Sequence, residues 1–150
     1  MANETKHAVD VLNGLIKTTL DSVGGYKDAA DSANNSRFKG MFAERAMKRE
    51  QLALELQEEV RALGGDPQER QGIVGKAHNE FVNLKAALTG KDDKAVIDEV
   101  ERGEDHIKEK FEDALEDDDL PPSVRTKVAR ACESIRADHA EVSRIKHTLH

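Results

Sequence analysis

The chain contains few aromatic residues, cysteines and prolines. Among its 150 residues there are four Phe, one Tyr, no Trp, one Cys and three Pro. A lone cysteine, Cys132, excludes an internal disulfide and is typical of a protein from a reducing compartment. So few aromatic rings leave little surface for stacking on bases, and a net charge of -7 repels phosphate. We therefore predict no nucleic-acid partner.

Long apolar runs are also missing. No segment approaches the roughly 20 apolar residues that a membrane helix needs, and residues 1–10 lack the apolar centre of a signal peptide. We therefore predict a cytoplasmic protein without a membrane partner. With 37% hydrophobic and 35% charged residues, the chain has the composition of one folded domain, which we expect to span residues 1–150.

Apolar residues recur at steps of three and four along most of the chain, which is the pattern of one buried helical face. No segment shows the sustained alternation of a strand, so we predict an all-α fold. Clusters of Asn, Asp and Ser, together with Gly and Pro, interrupt the pattern and mark helix ends. The predicted helices span about 5–33, 36–63, 71–88, 93–117 and 122–148.

The lengths of the connections predict the topology. Few residues join the first two helices or the last two, so each pair should form an antiparallel hairpin. A helix over 71–88 would extend ~27 Å, enough to return along the bundle between the hairpins. The helix that starts at 93 should then begin beside Ser36. This arrangement is a ferritin-like four-helix bundle with a long crossover that contains an additional helix.

Several polar residues interrupt the apolar stripes. Mirroring each hairpin about its turn places a group of them at one height in the bundle, to within about one helical turn of ~5 Å. Arg49 lies near the same apolar stripe as Arg45, and His78 takes a similar stripe position in the crossover helix. The residues that share this layer are Tyr26, Arg45, Glu101, Glu104 and His139.

The layer has two interpretations. In the one that we favour, the side chains form a buried polar network of Tyr26, Arg45, Arg49, Glu104 and His139. In the alternative, a divalent metal ion (Fe, Mn or Zn) is bound by Glu101, Glu104 and His139, since carboxylate and imidazole suit these ions. An inward arginine is a poor neighbour for a cation, which favours the network and no cofactor.

Three glycines map to the same layer: Gly24, Gly25 and Gly103. Each lies inside a predicted helix, where glycine costs about 1 kcal/mol relative to alanine. Glycine at such positions permits a close approach of two helices, a π-bulge, or space for a ligand or water. We call these three residues the glycine notch.

A di-iron centre of the ferritin type requires a Glu-x-x-His motif on each of two helices. The chain has one match, Glu4 to His7, at its N-terminal end. The corresponding place in the second helix reads Glu50-Gln51-Leu52-Ala53, and the last helix offers Arg136-Ala137-Asp138-His139. Because the full ligand set is missing, we do not expect an oxygen-activating di-iron enzyme.

Six short segments carry a family resemblance. They are Leu12–Ile16, Gly24–Tyr26, Leu63–Pro67, Leu84–Gly90, Glu101–Asp105 and Leu120–Pro122. Together they resemble an uncharacterised bacterial family of ferritin-like four-helix-bundle proteins, classed as a domain of unknown function, over about Val9 to His147. The resemblance implies a ferritin-like fold and a bacterial cytoplasmic setting, and it implies no particular reaction.

These observations support two hypotheses for function. The first is a non-enzymatic, stress-associated or protein-interaction role, in which the chain forms a homo-oligomer or binds another protein. The second is metal binding (Fe, Mn or Zn), as in other members of the ferritin-like superfamily, with iron or peroxide as the species handled. Stoichiometric metal in protein purified without a chelator would favour the second.

Overall fold

The computed structural model describes residues 3–69 and 92–149 of the chain. Within these ranges it contains four α-helices and no strand, as predicted. We number them α1 (Asn3–Ser32), α2 (Ser36–Ala62), α3 (Asp93–Leu115) and α4 (Pro122–Leu149). These bounds differ from the predicted ones by at most two residues. The helix predicted over 71–88, which includes His78, lies outside the described residues.

Each helix buries one face because its core positions follow alternating steps of three and four residues. This heptad spacing keeps a single stripe turned toward neighbouring helices that cross at a shallow angle. In α4 the buried stripe is Val124, Val128, Ala131, Ile135, Asp138 and Val142. In α1 it is Ala8, Leu12, Leu15, Thr19, Ser22, Tyr26 and Ala29. Both stripes contain polar residues near the middle of the helix.

The apolar core is divided into two clusters along the bundle axis. One cluster contains Leu12, Leu56, Ile107, Phe111 and Ile135. The other surrounds Phe42, with Tyr26, Ile97, Val100 and Val142. The polar residues of the four stripes lie between the two clusters, so a band of charge crosses an otherwise apolar interior.

At one end of the bundle, the α1–α2 turn is joined to the start of α3. The carboxylate of Asp93 accepts hydrogen bonds from the backbone N–H groups of Asn34 at 2.7 Å and Asn35 at 3.0 Å. Asn35 is also the N-cap of α2, where its side-chain oxygen accepts from Arg37 N at 2.8 Å. Helices α2 and α3 therefore begin at the same end, as the predicted crossover requires.

At the opposite end, the start of α1 meets the end of α2 and the α3–α4 turn. His7 Nε2 lies 2.6 Å from Asp117 Oδ2. Arg125 donates to the carbonyl oxygens of Leu115 and Asp117, which holds the α3–α4 turn against α4. None of the helices in the described ranges is long and apolar enough to cross a membrane.

Two glycines differ in how well they should tolerate alanine. Gly64, just after α2, has φ of +83°, so Gly64→Ala should lower the free energy of unfolding by about 1 kcal/mol. Gly24 lies inside α1, and an added Cβ meets nothing within 4 Å, so Gly24→Ala should raise it by about 0.5–1 kcal/mol. Urea unfolding measures both. A loss of stability in Gly24→Ala would contradict the open space beside Gly24.

Candidate functional site

Arg49 lies at the centre of the polar band, and its side chain is 1% exposed. Its guanidinium contacts one residue from each of the other three helices. Nη1 donates to Ser22 Oγ of α1 at 2.7 Å. Nη1 and Nη2 lie 2.8 and 2.9 Å from the two carboxylate oxygens of Glu104 in α3, and Nη2 lies 3.2 Å from Asp138 Oδ2 in α4. The contact with Glu104 is bidentate, the geometry in which arginine pairs most strongly with carboxylate.

Asp138 is the second buried carboxylate of the band. Besides Arg49, it accepts from Lys48 Nζ, which lies 2.9 Å from Oδ1 and 3.2 Å from Oδ2. Arg45 Nε is 3.6 Å from Oδ1, and Arg45 also donates to Glu141 through Nη2. Three cationic side chains of α2 therefore surround one carboxylate of α4.

Tyr26 connects the charged band to the neighbouring apolar cluster. Its hydroxyl accepts from Arg45 Nη1 at 3.2 Å. The Arg45 and Arg49 guanidinium carbons lie 5.6 and 5.5 Å from the ring centroid, close enough for cation–π attraction, while Phe42 packs on the ring at 6.0 Å. Burial, followed by the negative charge of Glu104, raises the pKa of Tyr26 well above its usual value.

The charges of the band are balanced. Arg45 and Arg49 are opposed by the buried carboxylates of Glu104 and Asp138. Burial is the largest influence on the pKa of Arg49 and acts to lower it, but Glu104, Tyr26 and Asp138 together outweigh burial, so the net direction is upward. Among the described residues, every buried side-chain nitrogen and oxygen has a hydrogen-bond partner. The band is therefore a satisfied network of fixed charges.

Of the five residues predicted to form the network, the structure brings four together: Tyr26, Arg45, Arg49 and Glu104. His139 is separate from them, because its Nε2 contacts the carboxylate of Asp105 at the bundle surface. The heptad position of α4 is Asp138, one residue earlier. Since successive residues are turned by about 100° around a helix, the side chain of His139 leaves the interior and that of Asp138 enters it.

The three residues considered as metal ligands have different partners. Glu101 accepts from Ser143 Oγ at 2.7 Å and Lys146 Nζ at 2.8 Å, and these contacts, the Lys146 hydrogen bond foremost, lower its pKa. Glu104 is paired with Arg49, and His139 contacts Asp105. In the described part of the chain, the ligand atoms of Glu101, Glu104 and His139 do not lie close enough together to form a group that could hold a metal ion.

The glycine notch is only partly internal. Gly25 and Gly103 are buried, whereas Gly24 is partly exposed and has open space beside it. Gly24 therefore neither permits a close helix approach nor makes room for a buried group.

Sequence reasoning missed Asp138 and Ser22, both of which contact Arg49. A signal for both was present. The heptad stripe Val128, Ala131, Ile135, Asp138, Val142 runs through Asp138, and the stripe of α1 runs through Ser22. Following each stripe along the whole helix, instead of between two neighbouring apolar residues, selects Asp138 over His139.

A second polar group lies at the end of the bundle where α1 begins. One ligand atom from each of His7, Asp117 and Asp119 lies within 4.8 Å of the others. The backbone N–H of Asp119 donates to Asp117 Oδ1 at 2.9 Å, and this bond, followed by the hydrogen bond from His7, lowers the pKa of Asp117. Imidazole and carboxylate together are ligands that first-row divalent metals accept.

Comparison with known proteins agrees with this architecture. The solved structure of a mutant of Dps1 from Mycobacterium smegmatis matches with a TM-score of 0.79 at 14% sequence identity, covering 97% of this chain and 99% of that one. The fold is therefore a ferritin-like four-helix bundle. By sequence, the chain belongs to the family described as "Domain of unknown function (DUF2383)", whose model matches residues 7–117. No curated protein matches it.

Removing the central carboxylate should destabilise the bundle strongly. Glu104→Ala leaves the Arg49 guanidinium buried beside only one remaining carboxylate, so we expect a loss of about 3–5 kcal/mol in the free energy of unfolding. Glu112 lies in the same helix as Glu104 but pairs at the bundle surface with Arg136 of α4, so Glu112→Ala should cost less than about 1 kcal/mol. Urea unfolding compares the two variants, and equal losses would contradict the central role of Glu104.

The single tyrosine provides a pH probe of the same network. Because the folded-state pKa of Tyr26 is raised, the unfolded chain ionises first as pH rises through ~10. The stability that Tyr26 contributes is complete below that pH and is lost above it. Wild type should therefore lose more unfolding free energy than Tyr26→Phe between pH 9 and 11, as chemical denaturation at each pH can measure. Parallel losses in the two proteins would show that the phenol ionises freely in the folded state.

Proposed function

We propose that the protein acts by binding other proteins, including further copies of itself, and that its bundle interior is structural instead of catalytic. The observation that supports a structural interior is the pairing of Glu104 and Asp138 with Arg45, Lys48 and Arg49. Association with a stress response stays a prediction from the sequence.

Metal and cofactor sites in helical bundles use carboxylate and histidine side chains that project into the core. Here both oxygens of Glu104 and both oxygens of Asp138 already accept from cationic side chains. Arginine keeps its charge at any physiological pH. A divalent ion 4 Å from a guanidinium would be repelled by about 8 kcal/mol at an effective dielectric constant of 20. This repulsion supports a structural role for the polar band.

Metal binding is the second candidate function, and the observation that favours it is the group His7, Asp117 and Asp119. These side chains come from two separate parts of the chain and are partly accessible. If iron or peroxide is handled by this protein, this group offers donors that are not shared with a buried arginine.

Metal analysis separates the two candidates. Protein purified without a chelator should contain no stoichiometric Fe, Mn or Zn, and its melting temperature should not change when these ions are added, since only a ligand that binds the folded state raises stability. Wild type bound to one equivalent of metal would contradict the proposal that the protein works without one.

Variants then locate any metal that does bind. Loss of binding in Asp119→Asn, with binding kept in Glu101→Gln, would place the ion at the end of the bundle. The opposite result would place it at the site predicted from Glu101, Glu104 and His139. Neither substitution removes a contact of Arg49, so both variants should retain the wild-type fold.

A further inference from the structure

The outward side of α2 has an exposed stripe that the bundle does not use. Met47 is 70% exposed and Leu54 is 52% exposed, and they are the exposed large hydrophobic residues in the described part of the chain. They lie seven residues apart, which places them on the same side of the helix two turns from each other. The residues of this side, which we call the outer face of α2, are Gly40, Ala43, Met47, Gln51, Leu54, Glu58 and Arg61.

When two copies of α2 are placed antiparallel with their outer faces together, small side chains of one copy lie opposite large side chains of the other. If a two-fold axis passes between Glu50 and Gln51, Met47 of one copy lies opposite Leu54 of the other. The same symmetry places the small residues Gly40 and Ala43 opposite the long side chains Arg61 and Glu58. An added Cβ at Gly40 meets nothing within 4 Å, so this end of the face is open to a partner's side chain.

The charges of α2 are complementary in the same orientation. The exposed charged residues of its first half are Arg37, Lys39, Glu44 and Lys48, an excess of positive charge. Those of its second half are Glu55, Glu58 and Arg61, an excess of negative charge. Lys48 also pairs with Asp138, Lys39 donates to the carbonyl oxygens of Ala30 and Asp31, and Arg61 pairs with Glu58. These contacts leave each charge in its own half of α2. Antiparallel pairing brings opposite charges together, whereas parallel pairing would bring like charges together.

We propose that the outer face of α2 binds the same face of a second copy, antiparallel and about a two-fold axis near Gln51. This inference rests on the proposed function and names the partner. Such a contact is isologous, so it closes at two subunits. A helix of 27 residues is ~40 Å long and ~10 Å wide, which buries about 800 Å² in total and corresponds to a weak dimer. We therefore expect the dimer to form only at high protein concentration.

Sedimentation velocity over a range of protein concentrations tests the interface. Wild type should shift from monomer to dimer as concentration rises, and Met47→Glu together with Leu54→Glu should weaken the dimer at least tenfold. The matched control is Ala140→Glu, which adds a negative charge to an exposed position of α4 and should leave the dimer unchanged. Circular dichroism verifies that each variant remains helical, and the substituted residues contact no part of the polar network.

Disulfide trapping tests the direction of the pairing. Cys132 is fully buried and should stay unreacted. A mixture of Met47→Cys and Leu54→Cys proteins should form a mixed disulfide under mild oxidation, whereas Met47→Cys alone should not. In the antiparallel arrangement, the two Met47 positions are separated by about seven residues, or ~10 Å, beyond the reach of a disulfide. Self-linking of Met47→Cys without the mixed product would overturn the antiparallel arrangement.

The outcomes separate this inference from the proposed function. A wild-type dimer that survives both glutamate substitutions would overturn the interface while leaving self-association intact. A wild-type protein that stays monomeric at all concentrations would overturn self-association itself. Stoichiometric metal in a protein whose dimer is weakened by the glutamates would overturn only the proposal that the protein works without a metal, and the interface would stand.

Discussion

One buried guanidinium, that of Arg49, connects the four helices that the structure describes. Its contacts with Ser22, Glu104 and Asp138 come from α1, α3 and α4. Removing a charge of this kind from water costs several kcal/mol, and the cost is recovered only when its partners are well placed. The four helices must therefore stand at fixed heights relative to one another. An apolar stripe alone would fit its neighbours nearly as well after a shift of one heptad, whereas the contacts of Arg49 would be lost.

Much of this architecture is predictable because the chain repeats a simple spacing. Steps of three and four residues, with the turn residues between them, predict the bounds of the four described helices to within two residues, and the same spacing places Arg49 and Glu104 at interior positions. The choice between Asp138 and His139 needs the stripe of the whole helix, since both residues fall between Ile135 and Val142. Which cation meets which carboxylate depends on side-chain conformations across helices. No one-dimensional pattern contains that information. The stripe of α1 therefore places Ser22 in the interior without identifying Arg49 as its partner, and Lys48 has no such signal.

The network also explains how the interior differs from a metal centre built on the same fold. A ferritin-like bundle can direct several carboxylates inward, and their mutual repulsion must be balanced by cations. In this chain the cations are covalently part of α2, in Arg45, Lys48 and Arg49. The balance is therefore permanent and requires no ion from solution. Chemistry that depends on an exchangeable ion would have to occur elsewhere, and contacts with partners would involve the outer faces of the helices.

The scarcity of aromatic residues gives a physical reason for a charged layer. Well-packed apolar residues in place of a buried ion pair are often equally stabilising or more so, so stability alone does not account for Arg49 and Glu104. Large rings of distinct shape can fix how helices align, but this chain has five aromatic residues, and most of its buried core residues in the described ranges are Val, Ile, Leu and Ala. Such side chains interdigitate in several registers at similar energy. A directional, bidentate ion pair selects one of these registers. Tyr26 couples the selected register to the packing of the neighbouring apolar cluster, because its ring lies in that cluster and its hydroxyl accepts from Arg45.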